Sequence, residues 1–274
     1  MIPIDKKKIL GLLSIWVIFG IISILHLMSL SSRDPTWLIV GNVIKVISPN
    51  IYTNFKRRQQ EVRQKWFEDV AQDNTVPLHA ASGWGYMSEE EYNAMVDYVL
   101  QELPIKSGES VYELGCGVGA VLRRVRHIYG KNISVGGSDL LAPAITKIKQ
   151  VFPNEAEHFH VFSMTKRNDL IPNNSQDHVI SFGALAMYLY REEMEKALKE
   201  AIRIAKPEGH LCFTHFIEPS GKLKGSILEP IEKSYWLHIS KQYFLENLLV
   251  KQMIHQKDRY YVCFSKKTKP IHQT

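Results

Sequence analysis

The stretch Val111-Tyr-Glu-Leu-Gly-Cys-Gly-Val-Gly119 constrains this chain more than any other. An apolar run ends in three glycines on alternate positions. It then passes into a segment whose apolar residues Val121, Leu122, Val125 and Ile128 fall on one helical face. A strand, a glycine-rich turn and a helix start in that order is how open α/β sheets bring main chain close to a ligand, beyond the carboxyl ends of the strands.

The surrounding sequence repeats the alternation. Ser88-Glu-Glu-Glu opens a helix with a serine cap and acids in its first turn, and Tyr92, Met95, Val96, Val99 and Leu100 give it an apolar face. Ile133 to Asp139 reads as a second strand, followed by a helix through Ile145, Ile148 and Val151. His158 to Phe162 is a third strand and His178 to Phe182 a fourth, the latter followed by a helix through Met194, Leu198, Ala201 and Ile204. Pro207-Glu-Gly209 breaks that helix before a fifth strand, His210 to Phe216. Val250–His255 and Arg259–Ser265 surround Gln256-Lys-Asp258 as a terminal hairpin. The fold class is therefore α/β, a doubly wound and largely parallel sheet with helices on both faces.

The glycines alone also satisfy a dinucleotide pattern, with Gly115, Gly117 and Ala120 as its small residues. Two acids separate the readings. Glu113 stands two residues before the first glycine, where a carboxylate repels a pyrophosphate but tolerates a ligand carrying a sulfonium and an ammonium. Asp139, ending the second strand, is placed to accept hydrogen bonds from two ribose hydroxyls. Glu113-Leu-Gly-Cys-Gly-Val-Gly119 resembles the first motif of the class I S-adenosylmethionine-dependent methyltransferases. Gly136-Gly-Ser-Asp139 is similar to that family's second-strand ending, and Arg203-Ile-Ala-Lys-Pro-Glu-Gly209 to its stretch before the fifth strand.

The resemblance covers roughly residues 85–265. It implies a Rossmann-like sheet of seven strands with the last reversed, and S-adenosylmethionine as cofactor. It also implies a cofactor site of Glu113, Gly115, Cys116, Gly117, Gly119, Asp139 and Leu140, with Ser163, Met164, Gly183 and Ala184 from later loops. The family often has an acid after the third strand, for the adenine amino group. Here Phe162-Ser-Met-Thr165 stands instead, leaving Ser163, the Met164 backbone or Asp169 to do that work.

Methyl transfer is an in-line displacement, so alignment supplies much of the rate, and a base is needed only where the acceptor must lose a proton. His215 and Tyr188 are the leading catalytic candidates, with Tyr190, Glu218, Tyr235 and His238 behind them. Each has a bland reading as a packing or capping residue. The loop from Pro219 to Gln242 is long enough for a lid, and with Trp84, Tyr86, Tyr235 and Trp236 it would enclose an apolar or aromatic acceptor.

The N-terminal part has a different character. Ile9–Leu30 holds 22 residues without Asp, Glu, Lys or Arg, the length of a transmembrane helix. A cleaved secretory signal is the rival, with Ser29-Leu30-Ser31 its weak cleavage candidate. Residues 36–52 carry Trp37, Val40, Ile44, Ile47 and Ile51 on one helical face, with Lys45 away from it, as in an amphipathic or re-entrant segment; a helix packed on the catalytic domain is the alternative.

The chain's net charge of +6 lies wholly in residues 1–60, where eight basic residues face Asp5 and Asp34; the rest balances at 26 of each sign. Such a distribution favours anionic lipid over nucleic acid, and no nucleic-acid partner is expected. Residues 1–60 thus read as a membrane anchor, 61–80 as a linker helix and 81–274 as the methyltransferase domain. Three widely spaced cysteines, Cys116, Cys212 and Cys263, fit neither a disulfide framework nor a zinc site and read as reduced thiols. That reading and cofactor supply favour a cytosolic catalytic domain, although Lys6, Lys7 and Lys8 before a single span would place it on the other side. A re-entrant hairpin resolves the conflict. The function expected is methyl transfer to a small or lipophilic acceptor near a membrane. The alternatives are a membrane-tethered protein or RNA methyltransferase and a catalytically silent scaffold. Oligomeric state is not legible.

Overall fold

A computed structural model of the chain describes residue 61 and residues 64–189, 191–217 and 231–267. They all fall in one compact unit, Thr53–Leu223 with Leu228–Thr274. The anchor segments Ile9–Leu30 and 36–52 lie outside the described residues. Among those described, no helix is long and apolar enough to cross a membrane.

Among the described residues, seven strands form one sheet: β1 (Ser110–Leu114), β2 (Ser134–Asp139), β3 (Phe159–Val161), β4 (Gln176–Ser181), β5 (Ala205–Ile217), β6 (Leu245–Met253) and β7 (Gln256–Lys266). Their order is β3-β2-β1-β4-β5-β7-β6. The first five run parallel, and β7 lies antiparallel to both β5 and β6. This is the sheet the motifs imply, reversed last strand included.

Strand alternation sorts the core into two layers. Val111, Val135, Ile180 and Cys212 point to one face, under α1 (Glu89–Leu100), α2 (Ala120–Tyr129) and α3 (Ala142–Val151). Tyr112, Leu114, Val179, Leu211 and Phe213 point to the other, under α5 (Arg191–Ile204) and α6 (Lys233–Gln242). Full burial of such a side chain contributes roughly 1.5–3 kcal/mol, so both layers are needed to hold β1 and β4, whose ends carry the site. The α1 start forms as its sequence predicts: the Ser88 hydroxyl accepts the Glu91 N–H, and the Glu91 carboxylate accepts the Ser88 N–H.

Several expectations are corrected. Ile128 is 41% exposed, because α2 buries only the stripe through Val121, Leu122 and Val125. A short helix not foreseen, α4 (Ala184–Tyr188), follows β4 directly. The expected lid loop is shortened by α6, which occupies its last ten residues. The hairpin turn falls on Ile254-His255, with His255 at φ 59°, so Gln256-Lys-Asp258 belongs to β7. The linker helix ends early as well: residues 64–72 are helical, and a separate turn of helix forms at Ala80–Trp84. Finally, Cys212 and Cys263 are register partners on β5 and β7 and are joined as a disulfide, not separate thiols. Their 51-residue separation hid a pairing that only the sheet register creates. Cys116 remains a free, buried thiol.

Candidate functional site

The carboxyl ends of β1 and β2 are tied together by the loop between Leu114 and Ala120. Gly115 and Cys116 both donate their N–H groups to the Ser138 carbonyl, at 2.7 and 3.0 Å. The Asp139 carboxylate accepts the N–H of Gly117 at 2.9 Å with one oxygen and that of Leu141 at 2.9 Å with the other. Burial raises the Asp139 carboxyl above its ordinary range, against the pull of the Leu141, Gly117 and Leu140 backbone. Asp139 is half-buried, and Leu140 beside it is 61% exposed.

Glycine is required at Gly115. Its φ is 75°, and a side chain there would collide with Ala184 Cβ and stand 2.8 Å from Met164 Cε. The loops after β1, β3 and β4 therefore meet at one point, which gathers Gly115, Met164, Gly183 and Ala184. At Gly117, by contrast, the nearest atom to an added Cβ is Ser82 Oγ at 3.9 Å, leaving room beside the main chain. Gly119 begins α2 and presses on α3, where a Cβ would lie 2.6 Å from Ile148 Cγ1.

Glu113 is the most unusual group of the site. It is 2% exposed, and its Oε2 has no hydrogen-bond partner among the described residues. Burial drives its pKa well above the carboxylate range; the Phe182 N–H opposes this, and the charge of Asp139 adds to it. A buried carboxyl oxygen without a partner costs free energy unless a ligand completes it. A ligand cation would do so, and the ammonium of S-adenosylmethionine is such a group. Glu113, Asp139 and the open main chain at Gly117 thus fit a ligand with a cationic end and a ribose. The Cys116 thiol is buried against Gly137, and burial with the nearby Asp139 and Glu113 charges pushes it well up.

Beyond Gly183 the surroundings become aromatic. Trp84 is 6% exposed; its ring centroid lies 4.4 Å from that of His215, 5.8 Å from Tyr86 and 6.4 Å from Tyr92. An added Cβ at Gly183 would be 3.4 Å from Trp84 and Met187 and 3.7 Å from His215 Nδ1. His215 is fully buried at φ 72°, within the irregular register between Phe213 and Phe216. Burial, with Arg259 nearby, holds its pKa well below the ordinary value. Tyr92 and His79 stack near one another with ring centroids 5.9 Å apart, and the Tyr92 hydroxyl and His79 Nδ1 are buried without partners among the described residues. The sequence marked Tyr92 only as part of the apolar face of α1 and did not mark His79 at all, since nothing there distinguishes them from core aromatics.

The segment 64–84 closes over the glycine loop. Val118, 2% exposed, packs with Ala71, Ala81 and Ala144, flanked by Val70, Val76, Leu78 and Leu141. The Lys147 ammonium on α3 donates to the Asp73 carbonyl at 2.7 Å.

Other candidates fall elsewhere. Trp236 is core: its Nε1 donates to the Tyr260 hydroxyl at 3.0 Å and its ring packs on Phe216, so it encloses no acceptor. Tyr235 lies under the Arg191 guanidinium, 5.0 Å from its ring centroid, and burial pushes its hydroxyl up to about 12. His238 is exposed on α6. Asp169 is exposed and bonded to Arg167. Ser163 shares a hydrogen bond with Thr165 at 2.9 Å. Tyr188 ends α4, but its side chain, Tyr190 and Glu218 lie outside the described residues.

The fold and these loops define a Rossmann-like domain built to hold an adenosyl ligand with a cationic end. Residues 111–209 match the family described as "Methyltransferase domain". The chain is 27% identical over 184 residues to phosphoethanolamine N-methyltransferase 1 of Triticum aestivum, covering 60% of this chain and 36% of that protein. The chain thus spans about a third of the length of the curated relatives it matches. Among solved structures, a methyltransferase of Haloferax volcanii in complex with the Trm112 activator aligns with a TM-score of 0.57 at 16% identity, covering 74% of this chain and 98% of its own. Phosphoethanolamine N-methyltransferase 2 of Haemonchus contortus, in complex with phosphomonomethylethanolamine and S-adenosylhomocysteine, aligns at 0.50 and 15%, covering 64% and 53%. Residues 111–209 thus carry a methyltransferase domain, on a sheet of the kind found in class I S-adenosylmethionine-dependent methyltransferases, and S-adenosylmethionine is the cofactor of that domain.

Proposed function

We propose that this protein transfers the methyl group of S-adenosylmethionine to a small-molecule acceptor beside a membrane. The observation that carries the reading is the buried Glu113 carboxyl, whose Oε2 has no partner among the described residues, two residues before the glycine loop that Asp139 holds from the neighbouring strand. The aromatic surroundings of Gly183 suit a compact acceptor that displaces water. The curated relatives' name makes phosphoethanolamine the first acceptor to try. Support for the membrane comes from the sequence, in the apolar stretches and basic excess of residues 1–60.

The catalytic domain then faces the cytosol, on the strength of cofactor supply. The thiol part of that argument falls away with the Cys212–Cys263 pairing. The test is to incubate the purified full chain, in detergent and in vesicles, with methyl-labelled S-adenosylmethionine and either phosphoethanolamine or a total lipid extract. Label in a small phosphorylated amine or a lipid is expected. Saturable binding of the cofactor without label in any small molecule or lipid would overturn the reading.

A further inference from the structure

His215 is the one imidazole of the aromatic group around Gly183 whose proton the surroundings fix. The Thr214 hydroxyl is fully buried and has two hydrogen-bond partners. Its oxygen accepts the Gly183 N–H at 3.1 Å. Its other partner is His215 Nδ1. A hydroxyl carries one proton, and leaving it buried without an acceptor is unfavourable. The Gly183 N–H is a donor and cannot take that proton, so it goes to the Nδ1 lone pair. A neutral imidazole with Nδ1 accepting carries its own proton on Nε2. His215 Nε2 is buried and has no partner among the described residues, and its ring lies against Trp84 beside Gly183.

We propose that His215 is a hydrogen-bond donor to the methyl acceptor and not its base, with the proton held on Nε2 by the Thr214 hydroxyl. The inference rests on the reading of this site as one for methyl transfer. An Nε2 that already bears a proton cannot remove one. It is suited to a hydroxyl, carboxylate or phosphate oxygen of the acceptor, and it leaves the attacking atom to arrive with a free lone pair, as a free-base amine or a carboxylate does. The same Thr214 oxygen fixes the Gly183 main chain, so the donor and the turn that opens α4 are set by one hydroxyl.

The test is long-range ¹H–¹⁵N correlation of the histidine rings in the full chain in detergent micelles near neutral pH, with and without S-adenosylhomocysteine. His215 is assigned by the signal lost in His215→Gln, or in His215→Asn should the first variant not fold. The expected result is an unprotonated Nδ1 and a protonated Nε2, kept in Thr214→Ser and shifted toward a tautomer mixture in Thr214→Val. A protonated Nδ1, an imidazolium, or a tautomer indifferent to Thr214→Val would overturn the proposal. The tautomer is read without turnover. Failure of methyl transfer with the Nε2–H form present would therefore count against the proposed function and not against the hydrogen-bond assignment.

Discussion

The Asp139 carboxylate, at the end of β2, accepts the Gly117 N–H at 2.9 Å and so holds the glycine loop of the neighbouring strand. One side chain orders the loop, and the proposed function gives it a second task, meeting the ligand. Asp139→Ala is expected to weaken S-adenosylhomocysteine binding by about 1–3 kcal/mol, the scale for losing hydrogen bonds to a charged group. It should also increase amide exchange at Gly117 and Leu141. Calorimetry showing unchanged affinity would remove Asp139 from the site.

Cofactor identity is tested by stabilisation. A ligand at 100 times its dissociation constant adds about 2.7 kcal/mol to a folded protein that alone binds it. S-adenosylmethionine and S-adenosylhomocysteine should both raise the Tm, and NAD should leave it unchanged. A rise with NAD alone would reverse the assignment.

Glu113 gives a prediction with a sign. Its folded pKa is raised by burial, so it favours the folded state at low pH and loses that contribution as pH rises through the folded value. Glu113→Gln should therefore raise the Tm of the free protein at pH 8, by about 2–4 °C if the gain is about 1 kcal/mol. The gain should shrink toward pH 5, while ligand affinity falls at both. In the parent protein, binding of a cationic ligand end should release a proton, seen as a buffer-dependent binding enthalpy. A lower Tm at pH 8 in the variant would contradict this account.

At the opposite end of the sheet, the His178 Nε2–H donates to the Glu109 carboxylate at 2.8 Å, and burial lowers the histidine's pKa despite that neighbour. A histidine depressed in the folded state loses stability as pH falls below about 6.5, where the unfolded chain takes up the proton first. His215 acts in the same direction. Chemical unfolding between pH 7 and pH 5 should show a loss that is smaller in His178→Gln. An identical pH slope in the two proteins would show that His178 is not among the groups responsible.

Topology is open to direct measurement, since the asparagines of two potential glycosylation acceptors, Asn132-Ile-Ser134 and Asn173-Asn-Ser175, are both exposed. In microsomes a cytosolic domain stays unglycosylated and is digested by added protease. Glycosidase-sensitive mass with protease protection would place the domain in the lumen.

The sequence carried what is local and periodic. Ser88 and Glu91 announced a helix start, the glycines after Leu114 announced the ligand loop, and the stripe through Met194, Leu198, Ala201 and Ile204 announced a buried helix face. What it withheld depends on distant partners. Cys212 meets Cys263 only through the β5–β7 register. Trp236 became core because Phe216 and Tyr260 surround it. The roles of Trp84 and Tyr92 arise from where α1 and the preceding turn sit over Gly183. The hairpin was misplaced because Gln256-Lys-Asp258 is polar like a turn, while the actual turn at Ile254-His255 has no glycine or asparagine to mark it.

Val118 sits between the last two glycines of the loop, under Ala71 and Ala81, while the match to the methyltransferase family begins only at residue 111. Part of the apolar cover of the cofactor loop is thus drawn from chain outside the shared region. Substitutions across 64–84 can tune how tightly the loop holds its ligand while every glycine and acid of the motif stays in place. Two relatives with the same motif can for that reason differ widely in cofactor affinity, and a fragment beginning at residue 111 would keep the motif with its hydrophobic side exposed to water.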